Sequence, residues 1–376
     1  MPISIIFPET YFALHIAKFI EVFVTAFLVS FFLIPPVVRI SLTKNLLEGG
    51  SKRRVHKKSI PNLGGFAIYT SFLLTTILFL EPSSILKTKF FLVSLIIIAL
   101  IGMQDDIAPL SPIKKVFGQI VAIVIVLFTT DIQFRSLYGF LGIHELPQVI
   151  SYIITALIIL IITNAFNLMD GIDGLAAGLG IQTSIVMGIF FIFIHAHEWA
   201  ILSLILAGGL VGFLYYNLFG TKNKIFMGDT GSLTIGFIIS ILAIQFNELN
   251  HSVYFQASLK SAPAVLFAIL IIPICDIIKV FIFRVIRGKS PFYADRRHLH
   301  HYILQTRVNH FQATLIILLL NIVGICYSFL LDFLGTNKLI LIDVVWGFLV
   351  VLSPNIYLRL RIVLYKLRHK QTKPIK

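Results

Sequence analysis

An all-α, polytopic membrane bundle of about eleven transmembrane helices is the fold class this sequence predicts, with the N-terminus outside and the C-terminus in the cytoplasm. Three observations predict it. Of 376 residues, 57% are hydrophobic and 13% charged, and the mean hydropathy is +0.94, more apolar surface than a water-soluble core can hide. The apolar residues come in long runs divided by short polar segments. Most of the 31 Lys and Arg residues fall on one set of alternating segments.

A span needs about 20 mostly apolar residues. In order, the candidate runs lie near 11–35, 63–80, 89–104, 116–130, 149–168, 179–195, 199–217, 231–246, 261–283, 311–331 and 339–357. The first lacks the small-residue pattern of a cleavable leader and is expected to be retained. Several, such as 89–104 and 116–130, are short, which suits helices enclosed by others. The run at 149–168 is nearly pure hydrocarbon until it ends in amides. Between 179–195 and 199–217, "HAHE" reads as a wetted loop tip. The runs at 261–283 and 311–331 hold the two cysteines, Cys275 and Cys326. Both lack metal or redox spacing and read as small buried apolar residues. No soluble domain, internal repeat or low-complexity tail interrupts the series, so 1–376 reads as one membrane domain.

Orientation follows from the cations. With eleven spans, the segments 36–62, 104–118, 164–178, 218–230 and 284–310 share a side with the tail 358–376, and they hold most of the Lys and Arg. The other side holds Lys87, Lys89, Arg135, Lys260 and Lys338. Losing one span would swap half of these segments, so the balance also supports the count. A net charge of +14 suggests nucleic acid in a soluble protein. Here the cations lie between apolar runs, which points away from nucleic acid and towards anionic membrane lipids or a phosphate-bearing substrate.

The unusual polar residues all fall on the cytoplasmic side. They are "RRVHKKSIPNLGG" (53–65), "GMQDDIAPLSPIKKVFGQ" (102–119), "NAFNLMDGIDGLAAG" (164–178), "YYNLFGTKNKIFMGDTGS" (215–232) and "RVIRGKSPFYADRRHLHH" (284–301). Ionisable groups at membrane depth indicate a functional site. Asp105, Asp106, Asp170, Asp173 and Asp229 would repel one another unless a cation offsets them. Oxygen-only donors with Asn nearby favour Mg²⁺ or Mn²⁺ over zinc, and Mg²⁺ keeps room for substrate phosphates. Each cluster alone could be a helix cap; three on one face favour a site. Asn164, Asn167, Asp170 and Asp173 step by three, which drifts about 60° per step on an α-helix. They therefore imply a helix end bearing amides, then a tight glycine turn bearing carboxylates. Lys57, Lys58, Lys115, Arg284, Arg287, Arg296 and Arg297 supply charge for phosphates, Arg in bidentate fashion. His298, His300 and His301 lack a cysteine or fourth ligand for zinc and fit phosphate contact or a loop role.

"DDIAPLSPIKKVFGQ", "NAFNLMDGIDGLAAG", "FMGDTGS" and "DRRHLHH", in this order, resemble the polyprenyl-phosphate N-acetylhexosamine-1-phosphate transferase family. The motifs cover roughly residues 40–305. The His-x-His-His form looks like the branch that starts O-antigen, enterobacterial common antigen or teichoic-acid linkage synthesis. The peptidoglycan branch shows three successive histidines, and here Leu299 interrupts. The resemblance implies a bacterial inner-membrane enzyme with its site facing the cytoplasm. Undecaprenyl phosphate would attack the sugar-bearing phosphate of a UDP-N-acetylhexosamine, by default UDP-N-acetylglucosamine, releasing UMP with Mg²⁺ as cofactor. It also implies roles. Asn167 and Asp229 contact metal. Asp105 and Asp106 form the essential acidic pair near the lipid phosphate. Phe226 stacks on uracil, with Asp173 and Asn217 holding the nucleoside and Asn164 and Asp170 beside them. Lys57 or Lys58 is the basic residue before "PxxGG", and Lys115 is the lysine after the acidic pair. Arg296, Arg297, His298, His300 and His301 contact phosphates or sugar.

A phosphate monoester has a second pKa of about 6, so the lipid phosphate is already mostly dianionic and needs no base. Direct in-line attack is therefore expected, with cations stabilising the transition state. The alternatives are a phospho-MurNAc-pentapeptide transferase, disfavoured by "HLHH", and a transporter. A transporter would carry repeats and midplane polarity. A CDP-alcohol phosphotransferase needs an Arg that "DGLAAG" lacks. A homodimer is plausible, with no sequence feature behind it.

Overall fold

The computed structural model describes residues 9–44, 46, 60–252, 258–288 and 298–370. The elements are α1 (Glu9–Thr43), α2 (Gly64–Phe79), α3 (Pro82–Ile107), α4 (Pro112–Thr129), α5 (Gln148–Met169), α6 (Leu175–Phe193) and α7 (His197–Phe219). They continue with α8 (Gly228–Ser252), α9 (Ala262–Ile269), α10 (Ile271–Ile286), α11 (Leu299–Leu304), α12 (His310–Leu330) and α13 (Thr336–Lys370). Among the described residues there is no strand; Ser136 and Glu145 form an isolated antiparallel bridge.

Nine of the described helices are long and apolar enough to cross a membrane, and ten if the bent pair α9 and α10 counts as one span. With no water in the bilayer, each such helix satisfies its backbone internally. Ten of the eleven expected runs each fall on one helix, and the run at 261–283 falls on the pair α9 and α10. The run at 63–80 becomes α2, an apolar helix of 16 residues, shorter than the nine. At 1.5 Å per residue it spans about 24 Å against a hydrocarbon core of about 30 Å. Helices also extend further into the expected cytoplasmic loops than the hydropathy runs do. Asp105 and Asp106 stand on the last turn of α3, Lys115 on the first of α4 and Asp229 on the first of α8. Rigid helix ends, rather than loops, therefore carry the charges. Pro82 and Pro112 sit in first turns, where a missing N–H costs nothing.

The bundle is arranged around α8, which packs against α2, α3, α5, α6, α7 and α9 and is almost wholly enclosed. By contrast α1, α4 and α13 keep most of their surface open, with Phe32, Ile113, Phe128 and Leu341 pointing outwards. Cys275 is buried as expected, but Cys326 lies on the exposed side of α12. The α9–α10 pair bends by 74°. Pro273 cannot donate to the carbonyl four residues back, at Ile269. The Asn321 amide reaches that oxygen instead, at 3.4 Å.

Candidate active site

Residues 61–65 and 226–228 meet backbone to backbone. Phe226 N–H donates to Pro61 O at 2.8 Å, Gly64 N–H to Phe226 O at 2.9 Å, and Gly65 N–H to Met227 O at 2.8 Å. This contact needs Gly65, whose added Cβ would fall 1.9 Å from Gly231 N. It delivers the start of α8 to the end of α3. Asp106 then accepts from Asp229 N–H at 2.7 Å, Thr230 N–H at 2.9 Å and the Thr230 hydroxyl at 2.6 Å. The first N–H groups of any helix lack partners within it. Here a carboxylate from another helix caps them and complements the helix dipole. Gly228 preceding it has φ +71°, a left-handed conformation, with Asp106 close to the space a side chain would fill.

Asp105 points elsewhere. Its Oδ2 lies 2.9 Å from Lys115 Nζ, and the same ammonium contacts Asp229 Oδ2. Asp229 Oδ1 accepts from the Asn167 amide at 2.6 Å, and that amide also reaches Ser232 Oγ at 2.9 Å. Asp105, Lys115 and Asp229 remain 15%, 17% and 25% exposed, half-buried yet reachable. The carboxylates thus converge on one cation, as their mutual repulsion requires.

Among the described residues no group of three or more His, Cys, Asp or Glu side chains is placed to hold a metal. A metal caged by protein alone does not fit. A hard cation held by one or two carboxylates, with phosphate oxygens and water completing its shell, does fit the donor chemistry of Asp229, Asn167 and Asp105. The point where Lys115 meets two acidic oxygens shows that the site is built for positive charge.

Beside this cluster opens a cleft of about 210 Å³, lined by Asp170, Gly171, Ile172, Asp173, Asn217, Phe226 and His310. It is smaller than the roughly 300–1,000 Å³ of a whole ligand pocket, so it suits one ring system of a larger ligand. The helix-then-turn reading of 164–178 holds, since α5 ends at Met169 and residues 170–174 turn before α6. Asp173 pairs with Lys224 at 2.7 Å, with His310 Nδ1 3.8 Å away. Asn217 ties the two edges together, accepting from Gly174 N–H at 2.7 Å and donating to Ile225 O at 2.9 Å. Four of the expected substrate residues, Asp170, Asp173, Asn217 and Phe226, therefore share one cleft. Asn164 does not join them. Its amide donates to Gln119 Oε1 at 2.7 Å and to Leu160 O at 2.8 Å, facing α4.

The histidine segment docks on the same turn. A Cβ at Gly171 would lie 2.2 Å from His300 Nε2, so only glycine lets the imidazole approach. His298 and His300 are both buried, their rings nearly parallel with centroids 5.9 Å apart, and His301 follows at 4.2 Å from His300. Burial, with the His301 imidazole second, pushes His300 down to about 3. His298 Nδ1 lies 2.8 Å from Asp276, a residue the motifs did not single out. Lys57, Lys58, Arg296 and Arg297 lie outside the described residues. Lys224, Thr230, Asp276 and His310 went unforeseen: Lys224 and Thr230 sit inside quoted segments where Asn217, Phe226 and Asp229 drew the reading, and Asp276 and His310 lie outside every quoted segment. Asp276 and Lys279 carried one usable signal, an acid and a base three residues apart within an apolar run.

Residues 89–247 match the sequence profile of glycosyl transferase family 4. The decaprenyl-phosphate N-acetylglucosaminephosphotransferase of Mycobacterium leprae (strain TN) is 31% identical over 290 residues, covering 71% of this chain and 72% of that protein. The chain belongs to the polyprenyl-phosphate N-acetylhexosamine-1-phosphate transferase family. This transferase is also 34% identical to the probable undecaprenyl-phosphate N-acetylglucosaminyl 1-phosphate transferase of Bacillus subtilis (strain 168), over 81% of this chain and 83% of the relative. The undecaprenyl-phosphate alpha-N-acetylglucosaminyl 1-phosphate transferase of Yersinia pestis is 27% identical over 75% of both chains. The transferase is thus a multi-pass membrane enzyme, and its acidic cluster and Phe226 fall within the profile match.

Proposed function

We propose that the transferase moves N-acetylglucosamine 1-phosphate from UDP-N-acetylglucosamine to undecaprenyl phosphate, giving the lipid diphosphate sugar and UMP. The observation that supports this reading most is one shared edge. Asp229 and Phe226 lie three residues apart on one segment, as do Asn167 and Asp170 on another. A site for cations and phosphate therefore adjoins a ring-sized cleft. The names of the Mycobacterium, Bacillus and Yersinia relatives support N-acetylglucosamine as the sugar. The membrane is the bacterial inner membrane, and the site faces the cytoplasm, where the basic segments lie. The product would start a cell-surface polysaccharide.

In this reading Phe226 and the cleft walls take the uridine, with Asp173 and Lys224 at its rim. An oxygen of the lipid phosphate attacks the sugar-bearing phosphorus in line, and the bond to the UMP oxygen breaks. Asp229, Asn167 and Asp105 would hold Mg²⁺, with Mn²⁺ able to replace it; the metal supplies charge for the diphosphate and the departing UMP. Lys115 keeps the acidic pair compact and adds positive charge at the reacting phosphates. Asp106 fixes Asp229 through the cap of α8. His298, His300, His301, Arg296, Arg297, Lys57 and Lys58 complete the phosphate and sugar contacts.

The test uses purified protein in detergent, undecaprenyl phosphate, Mg²⁺ and a panel of UDP-sugars, following UMP. Release that requires lipid and metal, and vanishes in Asp229→Ala, is the expected result. Release with UDP-MurNAc-pentapeptide alone would hand the assignment to the peptidoglycan reaction.

A further inference from the structure

Asp276 lies on α10, outside every recognised motif, and its side chain is fully buried. Three donors converge on it. Lys279 Nζ reaches Oδ1 at 2.8 Å, Leu299 N–H reaches Oδ1 at 2.9 Å, and His298 Nδ1 stands 2.8 Å from Oδ2. A carboxylate facing an ammonium and a backbone N–H can only accept, so Nδ1 of His298 carries its hydrogen towards Oδ2. That fixes the proton of His298 on Nδ1. A buried charge persists only when paired and hydrogen-bonded, and this one is. The ammonium of Lys279 also lies 5.5 Å from the Tyr302 ring centre, on the same short helix α11.

The consequence reaches the cleft in contiguous steps. Asp276 holds the first two residues of the histidine segment, His298 by its ring and Leu299 by its backbone. That segment sets His300 against Gly171, and Gly171 lines the cleft. We infer that Asp276 is a positioning residue for the transfer: through a buried ionic anchor with Lys279 it sets the ring of His298 and seats the histidine segment on the cleft turn. This rests on the functional reading above, because the segment's work is defined by that reaction.

Asp276→Asn breaks the anchor in a definite way. Its new NH₂ either faces the Lys279 and Leu299 donors or forces the other tautomer on His298. Removing one partner of a buried pair strands the other charge, so the single variant also endangers the fold. The deciding variant is therefore Asp276→Asn with Lys279→Met, which leaves no stranded ammonium. Two readouts apply, UMP release resolved into kcat and KM for the sugar nucleotide, and hydrogen–deuterium exchange of residues 298–304 without substrate. The expected result is a melting temperature near that of the parent, exchange at 298–304 faster by tenfold or more, and kcat/KM lower by tenfold or more. Recovery of kcat/KM in step with stability would reduce Asp276 to a fold element and overturn the inference. Unchanged exchange at 298–304 would overturn it as well. If the parent protein releases no UMP from any sugar nucleotide, the functional reading fails, while the exchange result still decides whether Asp276 anchors the segment.

Discussion

Asp105 and Asp106 are adjacent in sequence yet serve different partners. Asp105 pairs with Lys115 at 2.9 Å, whereas Asp106 caps α8 through three hydrogen bonds. Successive residues on a helix point about 100° apart, so one turn end reaches both. The pair should therefore separate experimentally. Asp105→Asn is expected to abolish most UMP release with little change in melting temperature. Asp106→Ala is expected to lose activity and also about 1–3 kcal/mol of stability, the cost of a removed cap and two orphaned N–H groups. Equal melting temperatures for the two variants would contradict this division.

Lys115 joins Asp105 and Asp229. Lys115→Met leaves two half-buried carboxylates facing each other, and kcat should fall by about 10²–10³, as when a fixed charge near a reacting group is removed. Lys115→Arg keeps the charge but not the compact shape, so it should restore only a small part. Steady-state UMP release at saturating lipid decides the point.

Two glycines should respond differently to alanine. At Gly171 the obstacle is the His300 ring, a side chain that can move, so Gly171→Ala should fold, with kcat/KM for the sugar nucleotide down by tenfold or more. At Gly65 the obstacle is the backbone of Gly231, which cannot yield cheaply. Overpacking of this kind costs about 1–3 kcal/mol or more. Gly65→Ala is expected to melt earlier and to lose activity together with the fold. Thermal melts beside kinetics tell the two apart.

His300 sets a pH limit. Its folded-state value of about 3 lies below the ordinary 6.5, so the folded form resists taking a proton that the unfolded form accepts. Above pH 6.5 both forms are neutral and nothing is lost. As pH falls from 6.5 towards 3, stability should decline by up to about 1.4 kcal/mol per pH unit. His300→Phe keeps a buried ring without titration. Melting temperature against pH in detergent should show a shallower acid limb for that variant than for the parent.

The fold was legible because lipid imposes a simple grammar: eleven apolar runs all became helix. Length told less. Asp105, Asp106 and Asp229 are charged, so hydropathy closed their helices early, while the backbone continued one more turn. At the site, Asp170, Asp173, Asn217 and Phe226 were brought together as their motifs suggested. Asn164 was misplaced because a spacing of three says which residues share a helix, not which neighbour they face; Gln119 decided that. Asp276 stayed invisible because its partners His298 and Leu299 are over twenty residues away, and no local pattern encodes that meeting.

The enclosure of α8 has one more consequence. The helix that carries Asp229 meets protein on nearly every side, while α1, α4 and α13 form an open apolar skin. Changes in acyl length, fluidity or bilayer thickness act first on that skin. The share of catalysis carried by α8 should therefore be insulated from the composition of the host membrane, and the outward faces of α1, α4 and α13 are free to diverge between species, whereas the end of α4 that holds Lys115 is not.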